Sequence, residues 1–134
     1  MGLIKFKCYL STPWSGPFRE IRELIVDAIE EAGYVPIRLE YSAKPPGEQV
    51  RQSVQDADVV VADLTGGNPN VIYEVGLSHA LRKPVLLLAQ DFEATPAVLL
   101  HHLILKYDPQ KPMELRALIL AWFARATAWG GPTR

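Results

Sequence analysis

Glu74 is the side chain best placed to do chemistry in this sequence of 134 residues. It sits in a stretch, Asn68 to about Arg82, where Val71, Ile72, Val75, Leu77, Ala80 and Leu81 cover most of a helical circumference at about 100° per residue. A helix that apolar is buried. A carboxylate within it needs partners or a water-filled cleft, because an unpaired buried charge is expensive. Glu74 shares a helical face with Leu77 and Leu81, and Ser78 lies one turn on. The helix N-terminus favours the ionised form while apolar neighbours oppose it, and an offset between them leaves a carboxylate that can act as a nucleophile. The competing reading is a rim Glu held by a Lys or Arg, since ion pairs also hold partly buried carboxylates. Asp63 is the second carboxylate of interest. It follows the β-branched run Val59-Val60-Val61, which suits a strand buried on both faces.

The elements that must position these two groups are a strand ending at Asp63, the loop Thr65-Gly66-Gly67, and a helix opened by Asn68-Pro69. Asn is a good cap, and Pro fits the first helical position because it has no N–H to leave unsatisfied. Pro84 ends the helix, and Val85–Leu88 reads as the next strand. Upstream, Ile4–Leu10 reads as a first strand with Lys5 and Lys7 on one face. Ser11 to Phe18 is a loop, and a helix over about Phe18–Ala32 buries Ile21, Leu24, Ile25 and Ala28 while exposing Glu20, Arg22, Glu23, Glu30 and Glu31. Gly33 ends it. Val35–Leu39 is a second strand that Pro36 assigns to a sheet edge. Tyr41–Gly47 is a loop, and a short helix over Glu48–Asp56 turns Val50 and Val54 inward. Downstream come the loop Asp91–Pro96, a short helical turn or extended approach over Val98–His102, a fifth strand Leu103–Tyr107, and a last helix Pro112–Ala126 with Leu115, Leu118, Ile119 and Trp122 as its apolar stripe.

Five strands alternating with helices predict an α/β fold: a single doubly wound, five-stranded parallel sheet in the flavodoxin-like order 2-1-3-4-5. That order places the ligand crevice between the first and third strands. It brings the Ser11–Phe18 loop beside Asp63–Asn70 and Glu74. Loop hydroxyls of Ser11, Thr12 and Ser15, helix-start N–H groups and Arg19 suit phosphate or sugar oxygens, and Trp14 offers a ring for a nucleobase. Ser11, Trp14, Asp63 and Asn68 are expected to line one cleft with Glu74. An ordinary strand-to-helix turn with an exposed Trp is the alternative for the first loop.

Composition bounds the rest. The length suits one domain, taken as 1–127, with a C-terminal tail over 128–134. Apolar residues at 49% and charged residues at 22% give a globular balance, and a net charge of −1 argues against binding nucleic-acid backbone or a membrane surface. No apolar run is long enough to span a bilayer. The single cysteine, Cys8, excludes an internal disulfide, fits a cytoplasmic location and reads as a small buried hydrophobe. The adjacent side chains of His101 and His102 diverge, so no metal site is expected there. His79 reads as packed or surface. No cofactor is called for.

The segment Asp63-Leu-Thr-Gly-Gly-Asn-Pro-Asn-Val-Ile-Tyr-Glu-Val-Gly-Leu-Ser-His-Ala-Leu-Arg-Lys-Pro84 resembles the core motif of the nucleoside 2-deoxyribosyltransferase-like superfamily, which includes deoxynucleoside-monophosphate N-glycosidases. It is also similar to predicted TIR-like nucleotide-binding domains. In the transferases and glycosidases the Glu of a Glu-x-Gly element attacks the anomeric carbon of the sugar, and Glu74 matches that position. The resemblance implies an N-glycosidic enzyme acting on a small-molecule nucleoside or nucleotide, with Asp63 orienting the sugar or assisting proton transfer to the leaving base. It implies that Asn68 and Asn70 hold sugar hydroxyls and that Tyr73 positions Glu74. Each has an alternative: Asp63 as a cap on the loop backbone, Asn68 as the helix cap, Asn70 as a first-turn residue. The resemblance also implies a homo-oligomer, because related enzymes complete their pockets with a partner subunit. The alternative function is a non-catalytic nucleotide-binding or sensor module using the same crevice. The first loop departs from the enzymes' forms, although Gly16-Pro17-Phe18 resembles one of them, and no side chain stands out as the acid for a leaving base.

Overall fold

The computed structural model describes residues 5–39 and 46–128. The expected loop from Tyr41 falls mostly outside these residues, as do Ile4 and the tail beyond Ala128. Among the described residues there are five strands: β1 Lys7–Ser11, β2 Val35–Ile37, β3 Val59–Asp63, β4 Val85–Ala89 and β5 Ile104–Lys106. Four α-helices accompany them: α1 Arg19–Glu31, α2 Pro46–Asp56, α3 Pro69–Ala80 and α4 Pro112–Ala128. Every strand pairing is parallel, and the order is β2-β1-β3-β4-β5. This is the doubly wound sheet expected from the alternation of strands and helices, with Pro36 on the edge strand where a missing N–H costs least.

The period of two along each strand assigns side chains to opposite faces of the sheet. Cys8 and Leu10 of β1, Val59 and Val61 of β3, and Leu86 and Leu88 of β4 pack with α1 and α4. Tyr9, Val60, Ala62, Leu87 and Ala89 pack on the other face with α2 and α3. β3 is fully buried along its length, so its run of valines needs no polar alternation. β1 differs: Lys7 is exposed and the following four residues are buried, so the strand enters the sheet half-covered and leaves it fully covered. Trp122 is part of the α1–α4 core, as its helical spacing indicates. Val50 and Val54 of α2 are buried against Tyr9 and Val60.

Helix α1 begins at Arg19, within one residue of the expected start, after a 3₁₀ turn over Gly16–Phe18. One local reading is corrected. Arg22, expected on the exposed face of α1, is only 8% exposed. Its Nη1 donates to the carbonyl of Pro13 at 3.0 Å and its guanidinium lies 4.6 Å from the centre of the Trp14 ring. The planar guanidinium stacks on the indole and keeps a donor for the loop carbonyl, so a charged side chain is folded under the β1–α1 loop.

Candidate active site

Helix α3 begins as its sequence dictates. The side chain of Asn68 accepts from the N–H groups of Asn70 (2.9 Å) and Val71 (3.3 Å), and Pro69 occupies the first turn. Val71, Glu74, Val75 and Ser78 form the buried stripe, at the spacing of one helical face. Leu77 and Leu81, expected to share the face of Glu74, are partly buried against the cluster of Tyr9, Val50, Val54, Ala57 and Val60, whose tyrosine also meets Glu74. Glu74 therefore points at the sheet, and it is 4% exposed, more deeply buried than a residue at the rim of a crevice.

Its carboxylate is met from β1. The Tyr9 hydroxyl donates to Glu74 Oε2 at 3.1 Å and the Ser11 hydroxyl donates to the same oxygen at 2.9 Å. Tyr9 and Ser11 stand two apart on one strand and so face the same side of the sheet, toward α3. Downstream, the Ser78 hydroxyl donates to the Glu74 carbonyl at 2.7 Å. Charge-assisted bonds from two buried hydroxyls hold the carboxylate in one orientation. Tyr9 escaped sequence reasoning because a tyrosine within a strand reads as core. Its period-two relation to Ser11 was the available signal.

Asp63 is placed differently. It pairs in register with Leu88, whose side chain belongs to the α1–α4 face, so Asp63 points to that face and Glu74 to the other. It is 0% exposed. Its Oδ1 accepts from the Thr65 N–H (3.0 Å) and the Thr65 hydroxyl (2.6 Å), and its Oδ2 accepts from the Tyr107 hydroxyl (2.5 Å). Burial pushes the Asp63 carboxyl above its ordinary value, and the bonds from Thr65 and Tyr107 oppose that rise. The Tyr107 hydroxyl is pushed up by burial first and then by the Asp63 charge beside it.

The remaining sequence-derived candidates divide. Thr12 is buried next to Ser11. Trp14 is 42% exposed, with one ring face on Arg22 at the α1 side of the loop. Arg19 is exposed and borders a groove between α1 and α4 with Glu23, Asp27, Met113 and Arg116. Asn68 spends its side-chain oxygen on the helix cap, and Asn70 is exposed beside it. Tyr73 is 58% exposed, so the tyrosine bonded to Glu74 is Tyr9 rather than Tyr73. The structure thus gathers Ser11 directly around Glu74, adds Tyr9, and leaves Arg19 and Tyr73 turned elsewhere. Cys8 is buried, and its thiol is pushed up by desolvation. The His79 and His102 rings stack with centroids 4.3 Å apart, and burial, then the neighbouring His102, lowers the His79 pKa. Among the described residues, no group of three or more His, Cys, Asp and Glu side chains could hold a metal ion, and no helix is long and apolar enough to cross a membrane.

The loop joining β3 to α3 depends on two left-handed glycines, Gly66 at φ +77° and Gly67 at φ +64°. A Cβ on Gly67 would lie 2.7 Å from the Ala94 carbonyl oxygen, whereas one on Gly66 would meet nothing within 4 Å. Gly66→Ala is therefore expected to cost the backbone penalty alone, about 1–2 kcal/mol. Gly67→Ala is expected to cost clearly more, because the 91–96 loop must also shift. Urea unfolding of the two variants side by side checks the difference, and equal midpoints would show that the Ala94 contact yields freely.

No family model and no curated protein sequence matches the chain. Among solved structures, a 2-deoxyribosyltransferase from the psychrotolerant bacterium Bacillus psychrosaccharolyticus is similar, with a TM-score of 0.59 and 16% identity over 79% of this chain and 95% of that one. The CMP N-glycosidase BcmB of Clostridium botulinum is similar at a TM-score of 0.59 and 19% identity, over 83% of this chain and 98% of that one. The chain has the nucleoside 2-deoxyribosyltransferase-like fold, as its central motif leads one to expect.

Proposed function

We propose that this protein breaks N-glycosidic bonds of nucleosides or nucleotides, with Glu74 as the nucleophile. The observation that carries the reading is the Glu74 carboxylate itself: buried in the second turn of α3 and aimed at the carboxyl end of β1 by Tyr9 and Ser11. The end of that strand is where open α/β sheets of this order bind ligands. Two enzymes of N-glycosidic chemistry share the fold, which supports the assignment by analogy.

In this reaction a Glu74 oxygen forms a bond to the anomeric carbon as the carbon–nitrogen bond to the base breaks, and the electron pair of that bond leaves on the base. Water, or a second base, then attacks the same carbon and frees the carboxylate. In hydrolysis the attacking water supplies the hydroxyl of the sugar and the proton taken by the base. Tyr9 and Ser11 orient the nucleophile. Thr12, which follows Ser11, and Asn70, one turn before Glu74, are proposed to contact sugar or phosphate, with Trp14 and Arg19 of the β1–α1 loop proposed for base and phosphate. Asn68 acts through the helix cap. Asp63 acts through the loop it holds rather than by touching the leaving base, because it faces the other side of the sheet. A homo-oligomeric, cytoplasmic enzyme without a cofactor completes the proposal. The exposed side chains of Val98, Leu100 and Leu103, at 72%, 52% and 71% exposure, are compatible with contact to a second copy.

A nucleotide-binding module without catalysis is the second reading, and the 4% exposure of Glu74 favours it, since a nucleophile must meet its substrate. Incubation with each ribo- and deoxynucleoside, their 5′-monophosphates and NAD, followed by chromatography for free base, separates the two. Release of base supports the enzyme. Saturable binding of one of these compounds with no release over long incubation supports the module.

A further inference from the structure

A network of side chains on the sheet face opposite Glu74 surrounds Asp63 and touches none of the reacting atoms of the reaction as described. The Tyr107 hydroxyl donates to Asp63 Oδ2 at 2.5 Å, and Asp63 Oδ1 accepts both the N–H and the hydroxyl of Thr65. The Thr65 Oγ1 in turn accepts from the Gln90 N–H at 2.9 Å, and Gln90 Nε2 donates to the Tyr107 oxygen at 3.2 Å. The circuit ties together the carboxyl ends of β3, β4 and β5. Tyr107 is 5% exposed and Asp63 0% exposed, so water competes poorly for these bonds.

What the circuit holds is the start of the loop that leads into α3. Thr65 opens the turn Thr65–Gly67, and the Gly67 N–H bonds the Leu64 carbonyl at 3.0 Å. Asn68 follows at once and caps the helix that carries Glu74. The two glycines let this loop adopt left-handed backbone and also leave it intrinsically free. The loop therefore needs an external anchor to fix where α3 begins, and Thr65 is bonded to the network through both its backbone and its side chain.

We propose that Tyr107 is a positioning residue: through Asp63 and Thr65 it fixes the β3–α3 loop, and with it the helix start that sets Glu74 against Tyr9 and Ser11. The role in catalysis rests on the N-glycosidic reading, while the anchoring of the loop stands on geometry alone. Tyr107 and Gln90 also border a cleft of about 540 Å³ with Asp91, Lys106, Asp108, Glu114, Leu115 and Leu118. Asp91, Lys106, Asp108 and Glu114 are the charged residues that line this cleft. β1 offers no titratable group at this end, and Arg22 of α1 is bonded to the Pro13 carbonyl.

The test is Tyr107→Phe, which keeps the ring and removes one hydroxyl. Amide hydrogen exchange is read residue by residue. The amides of Thr65, Gly67, Asn70 and Val71 are expected to lose about tenfold or more in protection, the scale of one lost charge-assisted bond, while amides of β1 and α1 keep theirs. Unchanged protection across residues 65–71 overturns the inference, whatever the activity. If Tyr107→Phe fails to fold, Gln90→Leu, which removes only the side-chain bond to Tyr107, gives the same reading on a smaller scale. The second readout is the pH profile of kcat. Losing the Tyr107 bond removes one of the influences that oppose the upward shift of Asp63, so Asp63 takes its proton at higher pH. Thr65 then faces a weaker acceptor, and the acid limb of the profile moves to higher pH with recovery toward the wild-type rate on the alkaline side. A loss by one constant factor at every pH overturns the positioning role. A wild-type protein that turns over no substrate counts against the N-glycosidic reading, and the exchange experiment still decides whether Tyr107 anchors the loop.

Discussion

Glu74→Gln is expected to abolish release of free base from any nucleoside or nucleotide that the wild-type protein cleaves. The substitution nearly preserves shape and can still accept from Tyr9 and Ser11, whose hydroxyls now bond its Oε2. It removes the negative charge and the nucleophilicity of the attacking oxygen. A loss of roughly 10³-fold or more in kcat is the expected scale for deleting a covalent nucleophile, given that the remaining groups still bind and orient the substrate. Binding should change little, so isothermal titration of the same ligand with the Gln variant is the companion measurement. Glu74→Ala is a weaker test, because the cavity it leaves beside Val71 and Val75 confounds chemistry with packing. A Gln variant that releases base at the wild-type rate would show that Glu74 is not the nucleophile.

The largest effect on stability is expected at Asp63. Asp63→Ala removes the acceptor of the Thr65 N–H, the Thr65 hydroxyl and the Tyr107 hydroxyl. A buried donor left unpaired costs about 1–3 kcal/mol, so a total loss of roughly 3–5 kcal/mol and a fall in Tm of about 10–20 °C are expected. Asp63→Asn keeps an acceptor oxygen and should lose less. The comparison with Asn also has a pH signature. Burial raises the folded-state pKa of Asp63 above its ordinary value of 3.8. The folded protein therefore holds that proton more tightly than the unfolded chain, and the stability this contributes is full below the ordinary value and lost as pH rises through the folded one. Protonation relieves the cost of burying the charge, although it makes Asp63 a poorer acceptor for Thr65 and Tyr107. The stability advantage of wild type over Asp63→Asn should accordingly shrink as pH rises and then level off. Urea midpoints measured across that range check it, and an advantage that grows with pH would mean that the hydrogen bonds outweigh desolvation.

Much of the architecture is legible in the chain because local and global signals agree. Val59–Val61 reads as a strand covered on both faces and is one. Asn68-Pro69 reads as a helix start and caps with the bonds expected of it. Pro36 reads as an edge position and lies on β2 at the edge. The site is less legible because its contacts are long-range. Tyr9 reaches Glu74 across 65 residues and Tyr107 reaches Asp63 across 44, and nothing in either tyrosine's neighbourhood announces its partner. The separation of Asp63 from Glu74 was readable in principle. Val59, Val61 and Asp63 alternate onto one face, so a strand of period two already sends Asp63 away from the helix that follows Ala62's side. Arg22 was misread because a charged residue beside a polar helical face looks solvated until the loop that covers it is known.

The central claim is that Glu74 becomes covalently bonded to the sugar. The most direct measurement is intact-protein and peptide mass spectrometry after mixing the protein with a 2-deoxy-2-fluoro analogue of a nucleoside or nucleotide it cleaves. An electronegative fluorine at C2 disfavours the oxocarbenium-like transition state and slows breakdown of a glycosyl-enzyme. The account predicts a mass increase equal to one fluorinated glycosyl residue, with its phosphate where a nucleotide analogue is used, located to Glu74 and absent in Glu74→Gln. Cleavage of the parent substrate with the adduct on another residue, or with water attacking directly and no adduct formed, would contradict it.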